Sequence, residues 1–407
     1  MVLALFKAPI FAGSFYLCHQ QMVEEKWSWT RTNVVIGMGM PEDQEYLYRA
    51  LELASRALGR TSPNPVVGAV IVKDDRIIGE GYHLAAGTPH AEVHALREAG
   101  EEAAGSTLYV TLEPCSHFGR TPPCADAVIT AGIKRVVVAV ADPNPQVSGR
   151  GITKLARAGI EVEVGVLQKE ACRLNQIFFK YIRTQVPFVA VKTAMTLDGK
   201  IASVSGDSRW ITGEKARLKV HQLRDVYDSI MVGIGTVLKD DPQLNTRLPG
   251  NEGHDPVRVI IDSQLDIPVT SKIATTSKHQ RSLVFCKDNP DHDRQQQLRS
   301  LGMEICPIAS QGELIPLDQV LVELGKMGLC SVLVEGGGEI NASLLEYDLI
   351  DKVYWFIAPK MVGGKQAPSP IGGRGIPWMK DARTLESVDI DQIGEDFLIT
   401  GYFKEWC

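Results

Sequence analysis

One histidine, two cysteines and one glutamate in the first half of the chain have the types and spacing of a hydrolytic metal centre. His90-Ala91-Glu92 opens a helix, Glu113-Pro114-Cys115 ends a strand, and Cys124 opens the next helix. One imidazole and two thiolates give a tetrahedral zinc three protein ligands and leave its fourth position to water, which separates a catalytic zinc from a closed structural one. Zinc in such a site lowers the pKa of water to about 7. Glu92 is then the group that carries protons from that water to a leaving amine. One Zn²⁺ per chain is expected, held by His90, Cys115 and Cys124. His94 lies at helical spacing from His90 and is read as packing or as a support behind the ligands, because a fourth protein ligand would close the site.

The second half holds a cradle for phosphate. Ser331-Val332-Leu333-Val334-Glu335 reads as a buried strand, Gly336-Gly337-Gly338 follows directly, and a helix runs on from Glu339. A strand, a glycine turn and a helix N-terminus present free backbone N–H groups and a favourable dipole to an anion. The dinucleotide fingerprint G-x-G-x-x-G is incomplete, since Asn341 stands where its third glycine would be. A plain tight turn is the competing reading.

These residues need elements to position them. Leu47, Ala50, Leu51, Ala54 and Leu58 recur at helical spacing. A hairpin follows, with strands at 66–72 and about 77–78 around Asp74-Asp75. Helices near 90–104 and 125–131 then alternate with strands near 107–112, 135–140 and 161–166. Residues 167–186 read as a helical connector. A second alternation has strands near 188–194, 229–233, 257–261, 282–286, 331–335, 352–358 and 397–403, with helices at 213–225, 316–326 and 338–346. Strand–helix alternation implies layered α/β sheets, and 407 residues exceed what one core organises. The expected division is an extension over 1–39, a first domain over 40–166, the connector over 167–186 and a second domain over 187–407.

With 43 basic and 49 acidic residues, the chain carries a net charge of −6 and no long basic run, which argues against a nucleic-acid partner. No run of about 18 apolar residues marks a membrane span. Apart from Cys115 and Cys124, the cysteines (18, 172, 286, 306, 330 and 407) are scattered and read as isolated thiols in a reducing compartment. The apolar stretch Pro9–Leu17 lacks a cleavage site, and Met40-Pro41-Glu42-Asp43 looks like a natural start. Residues 1–39 are therefore read as a disordered extension or a mis-assigned start. The location is cytoplasmic, or a plastid if that segment is a true targeting peptide.

The string Thr111-Leu112-Glu113-Pro114-Cys115-Ser116-His117-Phe118-Gly119-Arg120-Thr121-Pro122-Pro123-Cys124 carries a resemblance. The pattern H-x-E with a later P-C…C is that of zinc nucleobase deaminases, except that eight residues separate the cysteines here. With Pro63-Asn64-Pro65, Gly81-Tyr82-His83 and Asp142-Pro143-Asn144-Pro145, the string resembles the deaminase domain of the bifunctional riboflavin-biosynthesis deaminase/reductases. Lys192-Thr193-Ala194-Met195-Thr196-Leu197-Asp198-Gly199-Lys200 and Gly233-Ile234-Gly235-Thr236-Val237-Leu238-Lys239-Asp240-Asp241-Pro242 resemble their reductase domain.

The resemblance implies a cytidine-deaminase-like three-layer domain followed by a dihydrofolate-reductase-like α/β domain. It implies deamination of a diaminopyrimidinone bearing a ribosylamino 5′-phosphate, then NADPH-dependent reduction of the ribosyl group to a ribityl chain. Asn64, His83, His117 and Arg120 would line the first pocket, with Arg120 meeting the phosphate. NADPH would contact Ala194, Trp210, Thr236, Asp240, Ser263 and the turn Gly337, Gly338, Glu339, Ile340, Asn341, Ala342 and Ser343. Substrate would contact Ser208, Arg224, Leu244, Arg247 and Glu335. Lys192 and Glu335 are the candidates to supply or relay the proton, and Arg224 and Arg247 to clamp the substrate phosphate. A homo-oligomer, dimer or tetramer, is implied as well. Two rival readings are a deaminase of free nucleosides or polynucleotides and a zinc-stabilised binding protein. The attached reductase motifs speak against the first, and Glu92 against the second.

Overall fold

The computed structural model describes residues 34–36 and 40–407, apart from 117–121, 145–146, 252, 289, 311 and 313. Two sheets organise it, of six and nine strands.

The first sheet contains β1 (Val34–Ile36), β2 (Gly68–Lys73), β3 (Arg76–Tyr82), β4 (Thr107–Val110), β5 (Arg135–Val138) and β6 (Glu161–Val164), in the order β1-β6-β5-β4-β2-β3. Between β2 and β3, Asp74 and Asp75 both take positive φ (49° and 57°), as the tight hairpin turn requires. The helix Pro41–Ser55 starts with Pro in its first turn and buries Leu47, Ala50, Leu51 and Ala54 on one face. On the other side the helix Ala91–Ala99 lies against β3 at Gly79 and Gly81. A Cβ at either glycine would strike the carbonyl oxygens of Ala95 or Ala91. This close approach fixes where the helix begins, and so where His90 stands. Part of the extension is strand, not disordered chain: β1 pairs in parallel with β6, Val34 opposite Val162. Unpaired backbone groups on an edge strand offer such a segment ready partners.

The second sheet contains β7 (Phe188–Thr196), β8 (Ser229–Gly233), β9 (Val257–Ile261), β10 (Ser282–Lys287), β11 (Glu304–Ile308), β12 (Ser331–Val334), β13 (Lys352–Ala358), β14 (Ser387–Ile393) and β15 (Asp396–Tyr402). Their order is β11-β10-β9-β8-β12-β7-β13-β15-β14, parallel as far as β13 and antiparallel beyond. The central strands are buried on both faces and read as continuous apolar runs, as parallel strands do. The edges escaped the sequence pattern. β11 carries Pro307, which an edge strand tolerates, and β14 exposes Val388 and Ile390 to solvent beside its acids.

The connector forms two helices, Gln168–Leu174 and Gln176–Thr184. The carboxyl terminus folds back onto them. Cys172 and Cys407 form a disulfide with Cα atoms 5.3 Å apart, which corrects the reading of these two as isolated thiols. They lie 235 residues apart in sequence, so spacing gave no sign of the pair. Lys180 Nζ bonds Asp351 Oδ2 at 2.6 Å and Trp406 Nε1 donates to Asp351 Oδ1 at 2.8 Å, tying connector, second sheet and terminus together. Among the described residues no helix is long and apolar enough to cross a membrane.

Candidate metal centre and reductase groove

His90 caps the helix Ala91–Ala99, Cys115 follows β4, and Cys124 begins the helix Cys124–Thr130. These three separate segments bring His90 Nδ1 to 3.5 Å from Cys115 Sγ and 3.2 Å from Cys124 Sγ. The donor atoms all lie within 4.8 Å of one another, a nitrogen and two sulfurs placed as zinc takes them. A hydrogen bond from the Cys124 thiol holds the Cys115 thiol well below its ordinary pKa against the opposing effect of burial, which favours the thiolate a cation needs. Glu92 is 3% exposed, and its Oε2 has no partner. Burial pushes its pKa up to about 7, with the Cys115 charge adding to the effect. An orphaned carboxylate oxygen beside three ligands fits a group that handles protons and does not ligate. His94 stands outside the cluster, with Nε2 buried and unbonded.

His90, Glu92 and Cys115 open onto a cavity of about 370 Å³. Asn64 and His83 line it, their Nδ2 and Nε2 atoms 3.4 Å apart. His83 Nδ1 meets the Pro89 carbonyl at 3.2 Å, and burial holds the imidazole below its ordinary pKa. His117 and Arg120 lie outside the described residues. Sequence reasoning quoted Glu113 without assigning it a task. Its buried carboxylate accepts backbone N–H bonds from Asp142, Gly149, Gly151 and Ile152 at 2.8–3.3 Å, pinning Asp142 and the start of the helix Arg150–Arg157. Connector residues Phe178, Tyr181 and Gln185 also line the cavity. No motif announces them, because only the fold brings the connector there.

The second site is a groove of about 520 Å³ between the helix Ile234–Asp240 and the N-terminus of the helix Gly338–Glu346. Ser208, Thr236, Asp240, Gly337, Gly338, Glu339 and Ile340 line it. At Gly338 a Cβ would come within 2.8 Å of the Ser369 carbonyl oxygen, so only glycine keeps the turn this close to the 368–372 segment. This tight turn at a helix N-terminus suits a phosphate. Six other expected cofactor contacts lie off the groove wall. Ala194 sits in β7 opposite Phe356, and Trp210 is exposed with the Arg217 guanidinium 4.6 Å from its ring centroid. Ser263 follows β9, its carbonyl accepting from Lys287 N. Asn341 is buried and donates to the Pro370 carbonyl at 2.9 Å, and Ala342 and Ser343 continue the helix.

Glu335 directly follows β12 and lies beside two cations: Arg224 meets its oxygens at 2.7 and 3.0 Å, and Lys192 Nζ at 3.2 Å. Burial alone would raise this carboxyl; Arg224 and Lys192 hold it well below the usual carboxylate range instead. Arg224 also donates to the Asn245 carbonyl at 2.9 Å. Its fork is thus committed within the protein, which divides the expected phosphate clamp. Arg247, exposed and bonded to Gln243 and Asn245, is the arginine left facing solvent. Leu244 is buried in the core behind it with φ 55°.

The same two-part organisation appears in known proteins. The cytidine and deoxycytidylate deaminase zinc-binding region matches residues 40–140, and the RibD C-terminal domain matches residues 187–399. The riboflavin biosynthesis protein RibD of Actinobacillus pleuropneumoniae is 47% identical over 88% of this chain and 94% of its own length. The chain belongs to the RibD family. RibD of Bacillus amyloliquefaciens is 45% identical over 89% of this chain and 97% of its own. Among solved structures, Acinetobacter baumannii RibD superposes with a TM-score of 0.78 at 40% identity, covering 89% of this chain and 98% of that one. A Thermotoga maritima diaminohydroxyphosphoribosylaminopyrimidine deaminase/5-amino-6-(5-phosphoribosylamino)uracil reductase gives a TM-score of 0.78 at 39% identity, again covering 89% and 98%. RibD family membership accounts for both the zinc-binding region and the reductase sheet, and these relatives match over 94–98% of their own length.

Proposed function

We propose that this chain catalyses two consecutive steps of riboflavin biosynthesis. It removes the 2-amino group of 2,5-diamino-6-(5-phosphoribosylamino)pyrimidin-4(3H)-one by hydrolysis, then reduces the ribosyl group of the product to ribityl phosphate with NADPH. The observation that carries the reading is the pair of built sites in one chain: a His/Cys/Cys cluster beside a buried glutamate with an unpartnered oxygen, and a glycine-turn groove beside a Lys–Glu–Arg cluster.

In the first site, His90, Cys115 and Cys124 would hold a zinc, which would supply an activated water. Glu92, with a pKa near neutrality, takes the water's proton and passes it to the departing amine, which leaves as ammonia. Asn64 and His83 hold the pyrimidine edge at the cavity wall. His117 and Arg120 are proposed to complete the pocket, Arg120 on the phosphate through its planar fork.

In the second site, Gly337 to Ser343, Thr236, Asp240, Ala194, Trp210 and Ser263 are the residues proposed to hold NADPH, which would supply the hydride. As the anomeric carbon is reduced, its bond to the ring oxygen breaks and that oxygen takes a proton. Lys192 is the donor, because Glu335 is held ionised and has no proton to give. Glu335 orients Lys192, Arg224 locks Glu335, and Arg247 is left for the substrate phosphate. Ser208 completes the substrate wall, and Leu244 supports it from the core behind Arg247. A cytoplasmic homo-oligomer, dimer or tetramer, belongs to the same reading, and light scattering of the purified protein tests the assembly.

The decisive experiment is metal analysis of the purified chain combined with turnover of the pyrimidine phosphate, with and without NADPH. One zinc per chain, ammonia release without NADPH and ribityl product only with it are expected. Activity confined to cytidine or nucleic acid would sink the reading.

A further inference from the structure

The deaminase cavity has a wall that the zinc-binding region does not supply. That region ends at residue 140, yet Phe178, Tyr181 and Gln185 of the connector face the same cavity as His90 and Glu92. The connector in turn is braced from the reductase side. Tyr181 Oη donates to the carbonyl of Gly325 at 3.0 Å. Gly325 lies in the helix Leu317–Lys326, and a Cβ there would fall on the Gln185 carbonyl oxygen. Gln185 is locked at this contact. It takes a left-handed φ of 58°, which glutamine adopts only when its surroundings hold it. Its N–H donates to Tyr181 O at 2.7 Å and its Nε2 to the same oxygen at 3.2 Å. One of the two Nε2 hydrogens is used in this bond, Oε1 accepts no hydrogen bond from the protein among the described residues, and Gln185 lines the cavity.

We infer that Gln185 is a substrate-binding residue of the deaminase, accepting a hydrogen bond from an N–H of the aminopyrimidine, and that Tyr181 and Gly325 are positioning residues holding it there. This rests on the deaminase reading above. The substrate class follows from the chemistry: an aminopyrimidinone edge presents N–H donors, and Oε1 can only accept. The reductase domain thereby shapes the specificity of a site to which it contributes no ligand. Lys180, one residue before Tyr181, strengthens the brace through its buried bond to Asp351.

The test uses the full-length zinc-loaded protein. Loss of one acceptor to a neutral donor raises KM for the deamination step about tenfold in Gln185→Ala, with kcat, zinc content and reductase turnover unchanged. Gln185→Glu keeps an acceptor oxygen and recovers most of the affinity. Tyr181→Phe frees the brace and raises KM about threefold without loss of zinc. Unchanged KM in Gln185→Ala, while the wild type deaminates, overturns this inference alone. A fall in kcat together with zinc loss overturns it too, since that marks a structural role. A wild type that does not deaminate the pyrimidine phosphate overturns the functional reading on which it stands.

Discussion

At the scale of single residues, the chemistry divides between groups that a sequence announces and groups that only a fold reveals. His90, Glu92, Cys115 and Cys124 are legible because each sits in a short string whose local structure, a helix start or a strand end, delivers its donor atom to one point. Gln185 and Tyr181 have no such string; their part in the cavity comes from the connector's path. Arg224 shows a different limit. Its residue type suits a phosphate, but a buried carboxylate 2.7 Å away has claimed it, and a sequence does not display that pairing. The role given to Glu92 is open to direct test. Glu92→Gln keeps the volume and removes the proton carrier, so deamination should fall about 10²- to 10⁴-fold while zinc content and NADPH-dependent reduction remain. Full deaminase turnover in that variant would refute the proton-carrying role.

Among elements, the interior strands are readable and the edges are not. β8 and β12 are largely apolar runs flanked by turns, β9 is one interrupted by the buried Arg258, and their predicted and observed spans nearly coincide. β14 alternates acids with outward-facing Val388 and Ile390, a pattern that says surface before it says strand. β13 raises a point of its own, since it buries a lysine at its first residue. Lys352 Nζ sits 2.7 Å from Tyr402 Oη and over the rings of Tyr354 and Tyr402, with Arg173, Lys219 and Asp389 the nearby charges. Burial, aided by the Arg173 charge, lowers its pKa to about 7 from an ordinary 10.5. Between those values the unfolded chain binds the extra proton, so stability increases as pH rises through the window and is lost as pH falls toward 7. Each unit is worth about 1.4 kcal/mol at most. Lys352→Met should flatten this slope in denaturant titrations followed from pH 7 to 10. An identical slope in variant and wild type would show that Lys352 stays charged in the folded protein.

For the whole molecule, two sheets with separate cores are joined by a connector that both of them grip, and the carboxyl terminus closes the arrangement. Glu405 bonds Arg173 at 2.9 Å, Trp406 bonds Asp351, and Cys407 reaches Cys172 in the connector helix Gln168–Leu174. The disulfide spans 235 residues and encloses the entire second sheet. A cross-link over so long a loop constrains the unfolded chain strongly; such bonds typically contribute about 2–4 kcal/mol. Forming it takes two electrons from the thiols, so an oxidant such as a disulfide of glutathione is required. Protein equilibrated with oxidised glutathione should therefore melt several degrees above the same protein in excess dithiol. Cys172→Ser and Cys407→Ser should each abolish the difference while leaving the His90–Cys115–Cys124 zinc in place. Because the bond ties the terminus to the same connector that lines the deaminase cavity, its reduction should loosen that wall as well, raising KM for deamination more than for ribosyl reduction. Equal melting temperatures under both conditions, with the same count of free thiols, would show that the terminus is held by Arg173 and Asp351 alone.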